Sequence, residues 1–471
     1  MGVQAQVMKT QSPPDRDIPN NDIPKLPETS YRHIWALSWP VMLSTMSLPL
    51  VGAVDVAMMG HLPDPAYVGG VALGGLVFGA IVLAFSFLRM GTTGLTSRAV
   101  GAGQKQEISR IFMRSQLIAL IGSLLLIILH PLILTLALRF IDSSQAAASH
   151  MDSYFSIRIW GLPATLGNAV MIGWLFGQQA MRLCMTQLIF INSLNIVLNF
   201  FFVLGLGMDV EGVAAASLCS EWAGFILILA IVRAQPKRFL LRLNSMDSQA
   251  VFAREKWIAM LKIARDLGAR TLLLWAVEAL LLSQAASSGD ISLAAIQIVL
   301  VIFGFIAFGL DGFAHATEAL AGAAIGSGSR TKLQVIIKRT TILAALAAGI
   351  MSAGLALLQG LIIPVMTSQP PLQAAVADLW LWCVVIPPVS FLAFQMDGVY
   401  VGAAASHYMR NGMVVSFALF AGLIFTFASA GLDGLMFAFI VYLLARGIYL
   451  ALCLRHMFAR YVGDKDDVHT P

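Results

Sequence analysis

The sequence has few charged residues, and this limits the class of protein to which it can belong. Only 12% of its 471 residues are charged and 58% are hydrophobic, and the mean hydropathy is +0.81. Charged side chains make up about a quarter of the residues in soluble domains. The composition therefore excludes an ordinary soluble globular protein.

Cysteine is also scarce, which limits disulfide and metal chemistry. Four cysteines lie in four different apolar segments, at Cys184, Cys219, Cys383 and Cys453. Their spacing matches no metal-binding motif. A cysteine inside an apolar segment usually acts as a small buried hydrophobic residue. We expect no metal site and no cofactor.

Long hydrophobic runs, in contrast, are abundant. Twelve runs are long enough to cross a bilayer, which takes about 20 residues of an α-helix. They cover residues 34–60, 67–97, 112–138, 149–173, 183–205, 212–233, 260–286, 291–326, 335–359, 374–402, 411–429 and 433–456. The runs lack the period-2 alternation of a membrane β-barrel. The sequence therefore predicts an all-α integral membrane protein with twelve transmembrane helices.

Basic residues are missing from every second loop, and this asymmetry predicts the orientation. The loops "GHLPDPAY", "GMDVEG", "SSGD", "TSQPP" and "GLDG" contain no Lys or Arg, whereas the alternate loops are basic; Arg139 is the exception to this pattern. By the positive-inside rule, the basic loops and both termini are cytoplasmic. The net charge of +5 thus reflects topology, and we expect no nucleic-acid partner.

The two halves of the chain align at a constant offset of 225 residues. "AVGAGQKQEISRI" matches "AIGSGSRTKLQVI", which pairs Gly101 with Gly326, and Pro163 pairs with Pro388 at the same offset. Six predicted helices separate equivalent points, and because six is even the two halves have the same orientation in the membrane. Such parallel repeats form two bundles around a shared cleft, where transporters bind their substrates.

Domain boundaries follow from the runs and the repeat. We expect a disordered cytoplasmic tail at 1–32, an N-terminal six-helix lobe at 33–233, a cytoplasmic linker at 234–258, a C-terminal six-helix lobe at 259–457 and a cytoplasmic tail at 458–471. The first segment is polar and proline-bearing. It has no apolar core, so it does not resemble a signal peptide.

Ionisable residues inside the runs are candidate functional groups, because a charge at mid-bilayer costs about 2.5–3.5 kcal/mol. The fifth helix carries a polar stripe of Asn192, Asn195 and Asn199, and Asn199 shares an outer depth with Asp55 and Glu221. Asp55 has no basic residue on its own helix. An isolated carboxylate in low dielectric takes up and releases protons near physiological pH. We expect Asp55 to couple protons, whereas the stripe either joins that site or only connects helices.

The second half carries most of its candidates nearer the cytoplasmic side, and Glu278 nearer the middle of the membrane. The others are Arg270, Asp311, His315, Glu318 and Asp397. Asp311, His315 and Glu318 lie on one face of a helix. We expect this face to form a polar network with Arg270 and Asp397, as a second proton route or as a structural clamp. Two other interpretations stay open: Glu318, Arg89 and Arg446 extend to a membrane interface, or the face belongs to an intramembrane enzyme.

Five motifs resemble the multidrug and toxic compound extrusion (MATE) family, in its DinF-like branch. They are "VDVAMMGHL", "GWLFGQQAMR", "NSLNIVLNF", "LDGFAHATEALAGAAIG" and "FQMDGVYVGA", and the resemblance spans roughly 33 to 457. It implies two six-helix lobes, a central chamber and a bacterial cytoplasmic (inner) membrane protein that works as a monomer among lipids. It also implies export of small organic, often cationic, compounds coupled to inward proton or sodium flow.

The resemblance assigns roles to individual residues. Asp55 resembles the coupling carboxylate of the N-terminal lobe, Pro40 the proline about which the first helix bends, and Asn195 the accompanying amide. Asn199 departs from the pattern, since related sites often have an aspartate there. A sodium site favours negative charge, so we expect protons as the coupling ion. Sodium-coupled antiport and a flippase for lipids or lipid-linked precursors are the alternatives.

Overall fold

The computed structural model describes residues 29–45, 58, 66–140, 144–239, 248–427 and 430–462. Regular structure in these ranges is helical throughout, and they contain no β-strand. Asp55 and most of both predicted tails lie outside the described residues.

Six long helices form the N-terminal lobe. They are α1 (Tyr31–Thr45), α2 (Ala66–Gly101), α3 (Lys105–Phe140), α4 (Gln145–Gly177), α5 (Met181–Gly205) and α6 (Val210–Ala234). Within α4, the segment Ile159–Gly161 tightens to a 3-10 turn, just ahead of Pro163. Proline has no N–H to donate, so the α-helical hydrogen bond to the preceding turn is missing there.

The C-terminal lobe contains six further long helices. They are α7 (Arg254–Ser287), α8 (Asp290–Gly326), α9 (Arg330–Met366), α10 (Trp380–Gly402), α11 (Ser406–Thr426) and α12 (Gly431–Tyr461). A short helix, Pro370–Asp378, precedes α10. Helix α7 begins inside the segment predicted as a linker, and α12 extends four residues into the predicted C-terminal tail.

The predicted all-α membrane fold is confirmed. Eleven helices among the described residues are long and apolar enough to cross a membrane. The twelfth, α1, is described only as far as Thr45. Helices of this kind satisfy every backbone donor and acceptor internally, as a bilayer requires. The chain is therefore a multi-pass membrane protein.

The internal repeat is visible in the helix packing. A β-carbon placed on Gly173 of α4 would overlap the carbonyl oxygen of Arg89 on α2, and one placed on Gly398 of α10 would overlap that of Ala314 on α8. Gly173 is equivalent to Gly398 at the offset of 225 residues, and Arg89 is equivalent to Ala314. The α2–α4 contact in one lobe is thus repeated as the α8–α10 contact in the other.

The two lobes meet at the end of the bundle where α2, α4, α8 and α10 finish, which we call the basic end. There Gly101 lies against the carbonyl group of Ala323, and Gly326 lies against that of Arg98. These two contacts are also equivalent under the repeat. Without side chains between them, the backbones of α2 and α8 approach closely. Helix α1 adds to the interface by packing on α8.

Candidate functional site

The asparagine stripe of α5 is buried and internally hydrogen-bonded. The side-chain amide of Asn199 donates to Asn195 Oδ1 at 3.2 Å, and that of Asn195 donates to Ser217 Oγ on α6 at 2.9 Å. Asn192, one turn before them on α5, is buried as well. The structure therefore brings together the three predicted amides in a row between α5 and α6.

Glu221, which was predicted at the same depth as Asn199, does not join that row by any hydrogen bond within the described part of the chain. Its carboxylate accepts from Asn168 Nδ2 at 2.7 Å and lies 3.7 Å from Arg158 Nη2, both on α4. Gln187 of α5 donates in turn to Asn168 Oδ1 at 2.8 Å. Glu221 shares a helix with Ser217, but it faces α4. It belongs to a second polar group between α4, α5 and α6.

Pro40 is buried in the middle of α1, where it lacks the N–H for a helical hydrogen bond. Helix α1 packs against α5, which carries the amide row, and against α8 of the other lobe. A bend at Pro40 would therefore change contacts in both lobes. The predicted coupling residue, Asp55, follows α1 in the sequence and lies outside the described residues.

Asp397 of α10 is the centre of a buried cluster in the C-terminal lobe. Arg270 Nη2 of α7 lies 2.6 Å from Asp397 Oδ2, and Arg446 of α12 bonds the same oxygen. Arg270 and Asp397, two members of the predicted network, are therefore paired directly. The interpretation of Arg446 as a residue that extends to the membrane interface was wrong, because its side chain is buried against Asp397.

His315 and Glu318 form a separate cluster with Arg89 of α2. Arg89 Nη1 lies 3.2 Å from Glu318 Oε2 and 3.4 Å from His315 Nδ1, while His315 Nδ1 lies 3.1 Å from Glu318 Oε1. Glu318 is buried, so the interpretation of Glu318 and Arg89 as interface-seeking side chains was also wrong. The single predicted network is in fact two clusters, and one of them crosses between the lobes.

Asp311 and Glu278 join neither cluster by a hydrogen bond or ion pair within the described ranges. Asp311 is half-buried one turn before His315, and Glu278 is exposed on α7. No group of three or more His, Cys, Asp or Glu side chains suited to a metal occurs among the described residues. Two predicted members of the network thus lie apart from it.

Sequence reasoning missed that Arg89 is a partner of Glu318. The two residues lie 229 positions apart on different lobes. Hydrophobic periodicity reports which face of a helix is buried, but not which distant helix covers that face. The available signal was depth, since both residues lie two to three turns before the basic end of their helices.

Comparison with known proteins gives matches along almost the whole chain. The family model described as MatE matches twice, at residues 40–201 and 268–429. The DNA damage-inducible protein F of Escherichia coli (strain K12) is 34% identical over 427 residues, which cover 91% of this chain and 92% of that protein. A probable multidrug resistance protein NorM of Bacillus cereus is 22% identical over 236 residues, covering 49% of this chain and 52% of that protein.

Solved structures with the same fold include two described as MATE proteins. "Crystal structure of MATE in the bent conformation" superposes with a TM-score of 0.82 at 20% identity, covering 91% of this chain and 96% of that one. "Outward-facing conformation of a multidrug resistance MATE family transporter of the MOP superfamily" gives a TM-score of 0.81 at 20% identity and the same coverage. At this identity the likeness supports the fold.

Proposed function

Because the chain belongs to the MatE family, whose members are membrane transporters and not enzymes, we propose that it is a secondary antiporter. It exports small organic, mainly cationic, drugs or toxic compounds in exchange for protons. It acts as a monomer in the bacterial cytoplasmic membrane, with its basic end and both termini facing the cytoplasm.

The observation that carries this proposal is the arrangement of the two lobes. They meet through α2 and α8 at the basic end, and the buried amide row of α5 lies in the N-terminal lobe beside α1. Two bundles related by a parallel repeat can rock about such an interface and expose a central cleft to one side at a time. Alternating access is the mechanism we propose.

Protons are the proposed coupling ion because of the chemistry of the amide row. Sodium binding requires several free oxygen ligands and favours negative charge. In the structure Asn195 Oδ1 already accepts a hydrogen bond from Asn199, and both side chains are neutral. The carboxylate that titrates is Asp55 in this proposal. It binds a proton and a cationic substrate in competition, and this competition couples their fluxes.

A flippase for lipid-linked precursors fits the interior less well. A polyanionic headgroup needs cations that are available in the cleft. The membrane-embedded arginines of the two lobes contact carboxylates instead, in the pairs Arg89–Glu318, Arg158–Glu221, Arg270–Asp397 and Arg446–Asp397. Each of these four arginines already contacts one of three carboxylates, with Asp397 shared between two of them, and this engagement favours a cationic or neutral cargo.

The test is uptake of a fluorescent organic cation into inside-out membrane vesicles. We expect an acidic lumen to drive accumulation, whereas a lumen loaded with sodium at equal pH gives only the background of vesicles without the protein. Asp55→Asn should abolish the proton-driven signal with normal protein levels. The control Asp290→Asn, at an exposed carboxylate where α8 begins, should keep it.

A saturable sodium dependence would reassign the coupling ion. Full proton-driven uptake by Asp55→Asn would remove that residue from the mechanism.

A further inference from the structure

Arg89 connects the two lobes through charged side chains inside the membrane region. It lies on α2 of the N-terminal lobe and contacts both His315 and Glu318 on α8 of the C-terminal lobe. Only 2% of the Glu318 side chain and 22% of the Arg89 side chain are exposed. The ring of Phe176 lies 5.2 Å from that of His315 and 5.9 Å from the Arg89 guanidinium. Phe176 therefore packs beside the contact, in which the carboxylate is almost fully buried.

The repeat does not require this contact. The position equivalent to Arg89 in the second half is Ala314, and the position equivalent to Glu318 in the first half is Thr93. The close glycine contacts at Gly101 and Gly326, in comparison, are equivalent under the repeat. A charged contact that breaks the symmetry is thus added to a symmetric scaffold.

The energetics of buried ion pairs indicate what this contact is for. Burial removes both ions from water, and the loss of hydration offsets much of their attraction, so such a pair adds little to overall stability. Removing one partner is costly, because the other charge stays buried and unpaired. A pair of this kind selects the one arrangement in which both partners meet. Here that arrangement is the one in which the lobes touch at the basic end.

Separation of the lobes at the basic end must break the contact. Arg98, about two and a half turns further along α2, bonds the carbonyl oxygen of Ala403 across the same interface at 3.2 Å. In contrast, the Asp266–Arg410 pair joins α7 to α11 inside the C-terminal lobe at 2.7 Å. A rigid rotation of the lobes leaves that pair intact, whereas Arg89 moves away from Glu318.

We propose that Arg89, His315 and Glu318 form an inter-lobe lock that holds the transporter closed at the basic end and sets the population of the state open at that end. His315 supports the lock because its Nδ1 lies within hydrogen-bond reach of both partners. It donates to the carboxylate in one tautomer and accepts from the guanidinium in the other. The lock rests on the proposed alternating access, but it makes a claim about conformation that transport assays do not test.

The experiment measures the distance between spin labels at the basic end by double electron–electron resonance. Labels are attached at two exposed positions, Gln104 between α2 and α3 and Gln334 on α9, in full-length protein whose native cysteines are replaced. In Glu318→Gln we expect at least a threefold increase in the long-distance population relative to the parent protein. Asp266→Asn removes an equally buried carboxylate within one lobe and should leave the distribution unchanged.

A second pair of variants keeps the test decisive if Glu318→Gln folds poorly. Arg89→Gln should shift the distribution in the same direction, and the charge swap of Arg89→Glu with Glu318→Arg should restore the parent distribution. Unchanged distances in Glu318→Gln and Arg89→Gln, or an equal shift in Asp266→Asn, would overturn the lock. Absence of proton-driven uptake in vesicles would instead count against the proposed function and leave the distance result standing.

Discussion

At the scale of single residues, Asp397 shows how a buried charge is tolerated in a membrane protein. Two guanidinium groups, from Arg270 and Arg446, share one of its carboxylate oxygens. These three residues come from α7, α10 and α12, so the cluster ties three helices of one lobe together. The Asp397 carboxylate is thus the counter-ion of two buried cations. This makes Asp397 critical for the structure.

We predict that Asp397→Asn destabilises the folded protein strongly. The amide leaves two buried cations without a counter-ion, a change that costs about 3–5 kcal/mol when a buried pair is broken. Thermal unfolding in detergent, followed by tryptophan fluorescence, should show a midpoint lower by several degrees. Asp378→Asn, at an exposed carboxylate before α10, is the matched control and should unfold at the parent temperature. Equal midpoints for the two variants would contradict a supporting role for Asp397.

At the scale of helices, the crossing of α2 and α8 depends on glycine. The backbone of Gly101 lies against the Ala323 carbonyl group, and no added β-carbon fits there. On α9, Gly349 has open space around it instead, with nothing within 4 Å of a β-carbon. The two positions therefore separate the effect of close helix contact from the effect of helix propensity.

We predict opposite outcomes for the same substitution at these two glycines. Gly101→Ala should force α2 and α8 apart, lower the unfolding temperature and reduce substrate uptake in vesicles. Gly349→Ala should keep full uptake and gain up to about 1 kcal/mol of stability, because alanine favours the helical state. Full activity and unchanged stability of Gly101→Ala would show that the helices tolerate a wider crossing.

The helices themselves were largely predictable from the sequence, and their contacts were not. Eleven of the twelve long apolar runs correspond to a described helix of spanning length, and the first is described as far as Thr45. Length and hydropathy largely determine which segments cross a bilayer. Depth placed Arg270, Asp311 and Asp397 near one another and left both aspartates open as partners of Arg270. The lobe-crossing position of Arg89 and the turn of Glu221 towards Asn168 were not predicted, because both depend on which distant helices become neighbours. That choice is made by packing and leaves no periodic signal in the chain.

At the scale of the whole molecule, the distribution of Lys and Arg predicts an orientation that can be measured. The basic end should face the cytoplasm, since positively charged loops are retained on that side. The connection at Gly289, between α7 and α8, lies at the opposite end of the bundle. The difference in Lys and Arg content between these two ends is summed over all the loops of the chain and does not depend on any single loop.

We predict that reporter fusions will show this orientation. Alkaline phosphatase fused after Gly289 should be active, and green fluorescent protein fused after the C-terminus should fluoresce. Exchanging the two reporters should give inactive and dark products at the same positions. An active phosphatase at the C-terminus would reverse the assigned sides of the membrane and the direction of transport with them.

The close glycine crossing of α2 and α8 also bears on ion leakage. Where two backbones touch without side chains between them, a file of water molecules has no space to form, and such files are one route by which protons leak across a membrane protein. A transporter closed in this way does not dissipate the proton gradient while no substrate is bound. Any substitution that widens this crossing would make room for water there, so Gly101→Ala should also be checked for a proton leak.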